Sequence, residues 1–176
     1  MTLERARVTV QDLTREFGSG RGIHGISFEC APGRVTGLIG PNGSGKSTTI
    51  RCMTGLIRSS GSVTYGGFGY ADAVRIGGGI GVQLDAAGAH PKRTGRAHLR
   101  ALAAGRGVHR NGVDEAIIAV GLDDAASRQV GSYSLGMRQR LGLASALLRR
   151  SSVYLLDEPT NGLDPHGIRW LSERLA

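Results

Sequence analysis

Residues 40 to 47, Gly40-Pro41-Asn42-Gly43-Ser44-Gly45-Lys46-Ser47, fit the phosphate-loop spacing of two glycines with four residues between them, then Lys and Ser. The glycines let the backbone curl so that successive N–H groups converge on one concavity, and a helix N-terminus behind them favours an anion there. Lys46 can reach the β and γ oxygens of a nucleotide, and the Ser47 hydroxyl, with Thr48 beside it, can ligate the Mg²⁺ that bridges them. A second group lies downstream. Val153-Tyr154-Leu155-Leu156 is a short apolar run ending in Asp157-Glu158 and stopped by Pro159. Acids at the C-terminal end of a buried parallel strand face a ligand crevice. There Asp157 can hold Mg²⁺ through its water shell, and Glu158 can polarise a water in line with the γ-phosphate.

With 29 glycines in the chain, a Gly-rich octet arises by accident more easily than usual, so its setting decides. Val35-Thr36-Gly37-Leu38-Ile39 reads as a buried strand before the loop, and Ser47 to Met53 as a helix closed by Gly55. The chain has two lysines, Lys46 and Lys92, against twenty arginines, so a lysine inside the loop is not compositional drift. Upstream, residues 7–13 and 25–30 alternate as half-exposed strands and predict an antiparallel edge. Phe17 lies between them, ahead of Gly18-Ser19-Gly20-Arg21-Gly22. An aromatic beside a phosphate loop can stack on adenine, although a lone Phe more often belongs to a core. Further strands are predicted over 61–65 and 76–82, the second weakened by its glycines. Residues 94 to 150 carry helical spacing, with Asn111 and Asp114 resembling a capping pair and a last helix over Leu135 to Leu148. This predicts a helical insert between two parts of a sheet.

The chain has 176 residues, enough for one domain with a proper core or part of one. Its net charge of +8 comes from scattered arginines without a like-charge run or an aromatic-interleaved stripe, so no specific nucleic-acid partner is expected. Cys30 and Cys52 lack metal-ligand spacing and read as reduced thiols of a cytosolic protein. No apolar stretch approaches the about eighteen residues of a membrane span, and Met1-Thr2-Leu3-Glu4-Arg5 lacks a signal-peptide layout. The expectation is a soluble chain.

Tyr133-Ser134-Leu135-Gly136-Met137-Arg138-Gln139-Arg140 precedes the acidic pair by about twenty residues. Together these stretches resemble the nucleotide-binding subunit of ATP-binding cassette (ABC) transporters, over essentially the whole chain. The family signature, Leu-Ser-Gly-Gly-Gln followed by any residue and Gln-Arg, is kept here at Ser134, Gly136, Gln139 and Arg140. It departs at Tyr133, Leu135 and Met137, in a style similar to exporter ATPases. The resemblance implies an α/β P-loop NTPase fold of ABC type: a mostly parallel core sheet, an N-terminal antiparallel β edge, and a helical subdomain inserted at about 86–150. It makes residues 1–176 a single ABC ATPase domain, C-terminally incomplete, because the family's switch histidine and final strand would lie past Ala176.

The resemblance also implies roles. Ser134, with Leu135, Gly136 and Met137, would contact the γ-phosphate held by the opposite subunit; physically, Ser134 caps a helix whose N–H groups face that anion. Phe17 falls at the adenine-stacking position. Asp164, in Asn161-Gly162-Leu163-Asp164, would sit in the loop crossing the dimer interface, and it is a good cap for a helix beginning at Pro165. The coupling-loop residue that ligates Mg²⁺ and senses the membrane partner falls at Asp85, with Gln83 as the fallback. The function implied is that of an ATPase subunit, peripheral on the cytoplasmic face of the membrane. It would dimerise head to tail over two Mg-ATP and drive an exporter through a separate transmembrane permease. Two other readings stand beside it: a non-transport ABC ATPase acting on nucleic acid or ribosomes, and a truncated nucleotide-binding module with impaired turnover.

Overall fold

The computed structural model describes residues 6–76, 79–84, 88–105, 107–149, 151–161 and 163–175. The chain divides into two compact units, one running to Ile80 and the other covering Gly81–Leu175.

In the first unit, strand β1 (Val8–Phe17) lies between β2 (Arg21–Cys30) and β3 (Ser60–Tyr65), antiparallel to both. Val8 and Val10 point inward by simple alternation, which would next bury Asp12 and expose Leu13. A bulge resolves this. Asp12 takes φ +50°, its N–H donates to Ser27 Oγ at 2.9 Å, and the pairing with both neighbours shifts, so that Leu13 is buried. Gly61 sits against the bulge at φ +84°, where a Cβ would lie 2.4 Å from the Asp12 oxygen, so only glycine fits.

Helix α1 (Lys46–Met53) buries Thr49, Ile50, Cys52 and Met53. It ends as predicted at Gly55, whose φ of +72° lets its N–H reach the Cys52 carbonyl at 3.0 Å. Tyr65, at the end of β3, is buried and its hydroxyl donates to the Met53 carbonyl at 2.8 Å. Burial pushes its phenol above the usual tyrosine range, with Tyr70 and Cys30 adding to the rise.

Three expectations need correction. The strand predicted over Val35–Ile39 is not formed: among the described residues these pair with no strand, and Ile39 is 98% exposed. A two-faced apolar strand is held by ladder partners at its edges, and no strand of the β2-β1-β3 sheet pairs with it. The strand predicted over 76–82 is only β4 (Ile80–Gln83), because Ile76 instead caps a helix α2 (Tyr70–Arg75). That helix is fixed by burial of Ala73 and an edge-on contact of Tyr70 with Tyr65, centroids 6.0 Å apart.

The third concerns the second unit, where β4 pairs with β5 (Val153–Leu156) and α3 (Gly95–Gly105), α4 (Arg110–Ala119) and α5 (Leu135–Leu147) pack around Leu99, Val113, Ile117 and Leu143. Helix α4 starts at Arg110 after His109, whose side chain makes no cap bond, so Asn111 already lies inside the helix. Asp114 pairs instead with Arg96 on α3, a charged donor that a neutral backbone amide does not match. The Asn111–Asp114 capping pair is therefore not formed. Tyr133 is buried, its hydroxyl donating to the Ala125 carbonyl at 2.7 Å, and the ring fits only because residue 95 is glycine: a Cβ there would meet the Tyr133 hydroxyl. Helix α6 (Pro165–Leu175) completes the described chain. Among the described residues no helix is long and apolar enough to cross a membrane.

Candidate functional site

The phosphate-loop residues lie in the first unit. Pro41 and Ser44 close a turn, the Ser44 N–H reaching the Pro41 carbonyl at 3.2 Å, and Gly43 and Gly45 take φ of +84° and +94°. Gly45 is the N-cap of α1 and offers no side-chain acceptor, so the N–H groups of the first helical turn are left for another partner. A Cβ on Gly45 would lie 2.4 Å from Ile23 Cγ2, and one on Gly40 would lie 2.6 Å from Ser44 Oγ. Lys46 curls back over the loop, its Nζ donating to the carbonyls of Gly40 at 2.9 Å and Pro41 at 3.0 Å. Asn42 is exposed, while Ser47 and Thr48 are half-buried on the first turn. The loop thus sets open amide donors, a cation and a hydroxyl within a few residues of one another.

Phe17 ends β1 and is 37% exposed, which sets it outside the core. The Arg15 guanidinium lies 4.9 Å from its ring centroid, a cation–π contact that the sequence reading missed; two residues apart on a strand, the pair shares a face.

The acidic residues lie in the second unit. Asp157 directly follows β5 and is 7% exposed; its N–H donates to the Gln83 carbonyl at 2.9 Å, tying it to β4. Glu158 is exposed and adopts φ +45°, a left-handed conformation costing a non-glycine residue about 1–2 kcal/mol. Its main-chain oxygen accepts from Gln139 Nε2 at 2.9 Å and from the Asn161 N–H at 3.0 Å. The sequence reading gave Gln139 no role. Its signal was there: a polar residue on the inward face of α5, four and seven positions before Leu143 and Ala146.

Ser134 caps α5 as expected, its Oγ accepting from the Met137 N–H at 3.2 Å. Ser134 and Leu135 are exposed, Gly136 and Met137 half-buried. Asp164 caps α6, accepting from the Gly167 N–H at 2.9 Å and from Arg140 at 3.1 Å. The Gly167 amide first, and then Arg140, hold its carboxyl below the usual carboxylate range. Gln83 is 3% exposed and neither end of its carboxamide has a partner among the described residues. Asp85 lies outside the described residues.

A phosphate loop opening a helix in the first unit, and a strand ending in two acids in the second, are each features of α/β nucleoside triphosphatases. The family model for ABC transporters matches residues 23–161. The chain belongs to the ABC transporter family, and its fold is the α/β P-loop fold of that family's ATP-binding domains. It is 40% identical over 166 residues to an uncharacterised ABC transporter ATP-binding protein of Bacillus subtilis, YdbJ, covering 91% of this chain and 53% of that protein. It is 39% identical over 165 residues to the bacitracin transport ATP-binding protein BcrA of Bacillus licheniformis, covering 92% and 54%. This chain spans about half the length of these two curated relatives. A solved ATP-binding subunit of an ABC transporter superposes with a TM-score of 0.81 at 27% identity, covering 96% of this chain and 72% of that one.

Proposed function

We propose that the chain is the ATP-binding and ATP-hydrolysing subunit of an ABC transporter that powers export through a separate membrane permease. The observation that carries this reading is the loop of residues 40–47, with its left-handed glycines, its open helix N-terminus and Lys46 within it. In use, the amides of Gly43 to Ser47 and the Lys46 ammonium bind the nucleotide phosphates, and Phe17 stacks on adenine. Glu158 orients a water and takes its proton.

Ser47 and Asp157 supply hard oxygen donors, as magnesium requires, and Asp85 is proposed as the coupling-loop ligand. Among the described residues no three His, Cys, Asp or Glu cluster as a self-sufficient metal site. This suits an ion that nucleotide phosphates carry in and one or two protein oxygens hold. Bound there, Mg²⁺ neutralises phosphate charge. Ser134 to Met137 complete the site of a second copy in a head-to-tail dimer, Asp164 lies in the loop between the copies, and the dimer sits on the inner membrane face against its permease. Similarity to the bacitracin transport ATP-binding protein supports a role in transport.

The test uses Mg-ATP hydrolysis and light scattering on the full-length protein. Lys46→Ala removes the phosphate-neutralising charge and is expected to lose ATP binding. Glu158→Gln keeps the contacts but loses the base, so hydrolysis falls roughly 10²- to 10⁴-fold and an ATP-dependent dimer accumulates. Adding Ser134→Arg abolishes the dimer while leaving binding by the loop. A Glu158→Gln protein that stays monomeric at saturating Mg-ATP, or that hydrolyses at the wild-type rate, overturns the reading.

A further inference from the structure

Burying an amide without a partner is costly, so the bond that the Gln139 side chain makes is informative. The residue is 4% exposed on α5, and its Nε2 is spent on a main-chain oxygen, that of Glu158. That oxygen also accepts the Asn161 N–H, so both of its lone pairs are used. Among the described residues only Asp12 shares with Glu158 a positive φ without being glycine. Such a backbone persists only where its surroundings hold it. One residue along α5, Arg140 bonds the Asp164 carboxylate, which caps α6. Two successive residues of one helix therefore fasten both ends of the segment from 158 to 164. The same helix begins at the Ser134 cap.

We propose that Gln139 is a positioning residue for hydrolysis: it fixes the left-handed backbone of Glu158, and so the direction of its carboxylate, to the helix that starts at Ser134. This rests on the ATPase reading with Glu158 as base. A general base acts only within hydrogen-bond reach of the water it deprotonates, and the direction in which a Glu side chain leaves the backbone follows its φ and ψ. Helix α5 would then carry two tasks. Its N-terminus meets the nucleotide of the opposite copy, while its second turn sets the base of its own copy, so engagement at one site is felt at the other through a single rigid element.

The test is Gln139→Met, which keeps length and helix propensity and removes the donor while leaving the Asn161 N–H on the Glu158 oxygen. Without nucleotide, amide exchange of Glu158, Thr160 and Asn161 is expected to quicken while that of α3 and α4 stays as in wild type, which also shows that the variant folds. Gln139→Leu serves if the Met variant does not fold. The kcat for Mg-ATP is expected to fall on the order of 10- to 100-fold, as a misplaced base would give, with KM within about twofold. In a Glu158→Gln background the same substitution is expected to change the residual rate little, because the group it orients is gone. Unchanged exchange, a wild-type kcat, or an equal fold-loss in the Glu158→Gln background would each overturn the proposal. If the wild-type protein hydrolyses no ATP, the ATPase reading falls, and the exchange result alone decides whether Gln139 holds the loop.

Discussion

Gly45→Ala tests whether the phosphate loop is shaped by the strand it leans on. Two costs are expected. At φ +94° an alanine occupies the left-handed region, which costs about 1–2 kcal/mol. Its Cβ would also stand 2.4 Å from Ile23 Cγ2, more than an ångström inside the usual carbon–carbon contact of about 3.5–4.0 Å. Ile23 is buried and cannot swing away, so the overlap is relieved by shifting the loop or β2, at about 1–3 kcal/mol. Together the substitution is expected to cost about 2–5 kcal/mol, a large share of the about 5–15 kcal/mol that holds a typical domain. Urea unfolding followed by far-UV circular dichroism measures it. The two costs separate in a double-mutant cycle with Ile23→Ala, which removes Cγ2. The overlap then vanishes and the backbone cost stays, so the double variant is expected to be more stable than the sum of the singles by about 1–3 kcal/mol. Additivity to within about 0.5 kcal/mol would refute the claim that the approach to Ile23 is what demands glycine at this position.

Phe17→Ala is expected to weaken adenine nucleotide binding by about 1 kcal/mol, roughly fivefold, in calorimetric titration, and an unchanged affinity in a folded protein would remove the stacking role. His98 is buried on α3, and burial first, then Arg93, lowers its pKa, so the folded state prefers the neutral imidazole. The unfolded chain then binds the extra proton below about pH 6.5, and stability is expected to fall as pH drops through that value, with no such loss above it. Thermal melts at pH 5.5 and 7.5 should show a smaller difference in His98→Gln than in wild type; an equal difference would rule His98 out as the cause.

The parts of the site that local chemistry governs are legible in the sequence. A glycine at a left-handed position, a serine ahead of a helix and an aspartate ahead of Pro165 each act within a few residues of themselves, and Gly55, Ser134 and Asp164 all do what their neighbours imply. Features that depend on distant partners are not. The apolar run at Val35–Ile39 has the composition of a strand, but composition does not provide a ladder. Asp114 matches a capping box until Arg96, eighteen residues away, becomes its partner. Helix α2 is too short for a periodic signal and rests on Tyr65 and Ala73. The alternating reading of residues 7–13 misses the bulge at Asp12, whose signal is that Leu13 falls out of phase with Val8 and Val10. Gln139 needs the position of the Glu158 carbonyl, nineteen residues on.

If Lys46 serves the nucleotide site proposed above, the two carbonyls that hold it would bear on the speed of nucleotide exchange. An ammonium standing in water must shed hydration as a phosphate arrives and recover it as the phosphate leaves, and each event adds to a barrier. Here Lys46 is already bonded to the Gly40 and Pro41 carbonyls, so in the nucleotide site proposed above an incoming phosphate would replace neutral dipoles by charge. On departure the same oxygens are waiting to take the cation back. In that proposed role the loop would trade depth of binding for reversibility, because the lysine's contribution would be the difference between a charged and an uncharged partner.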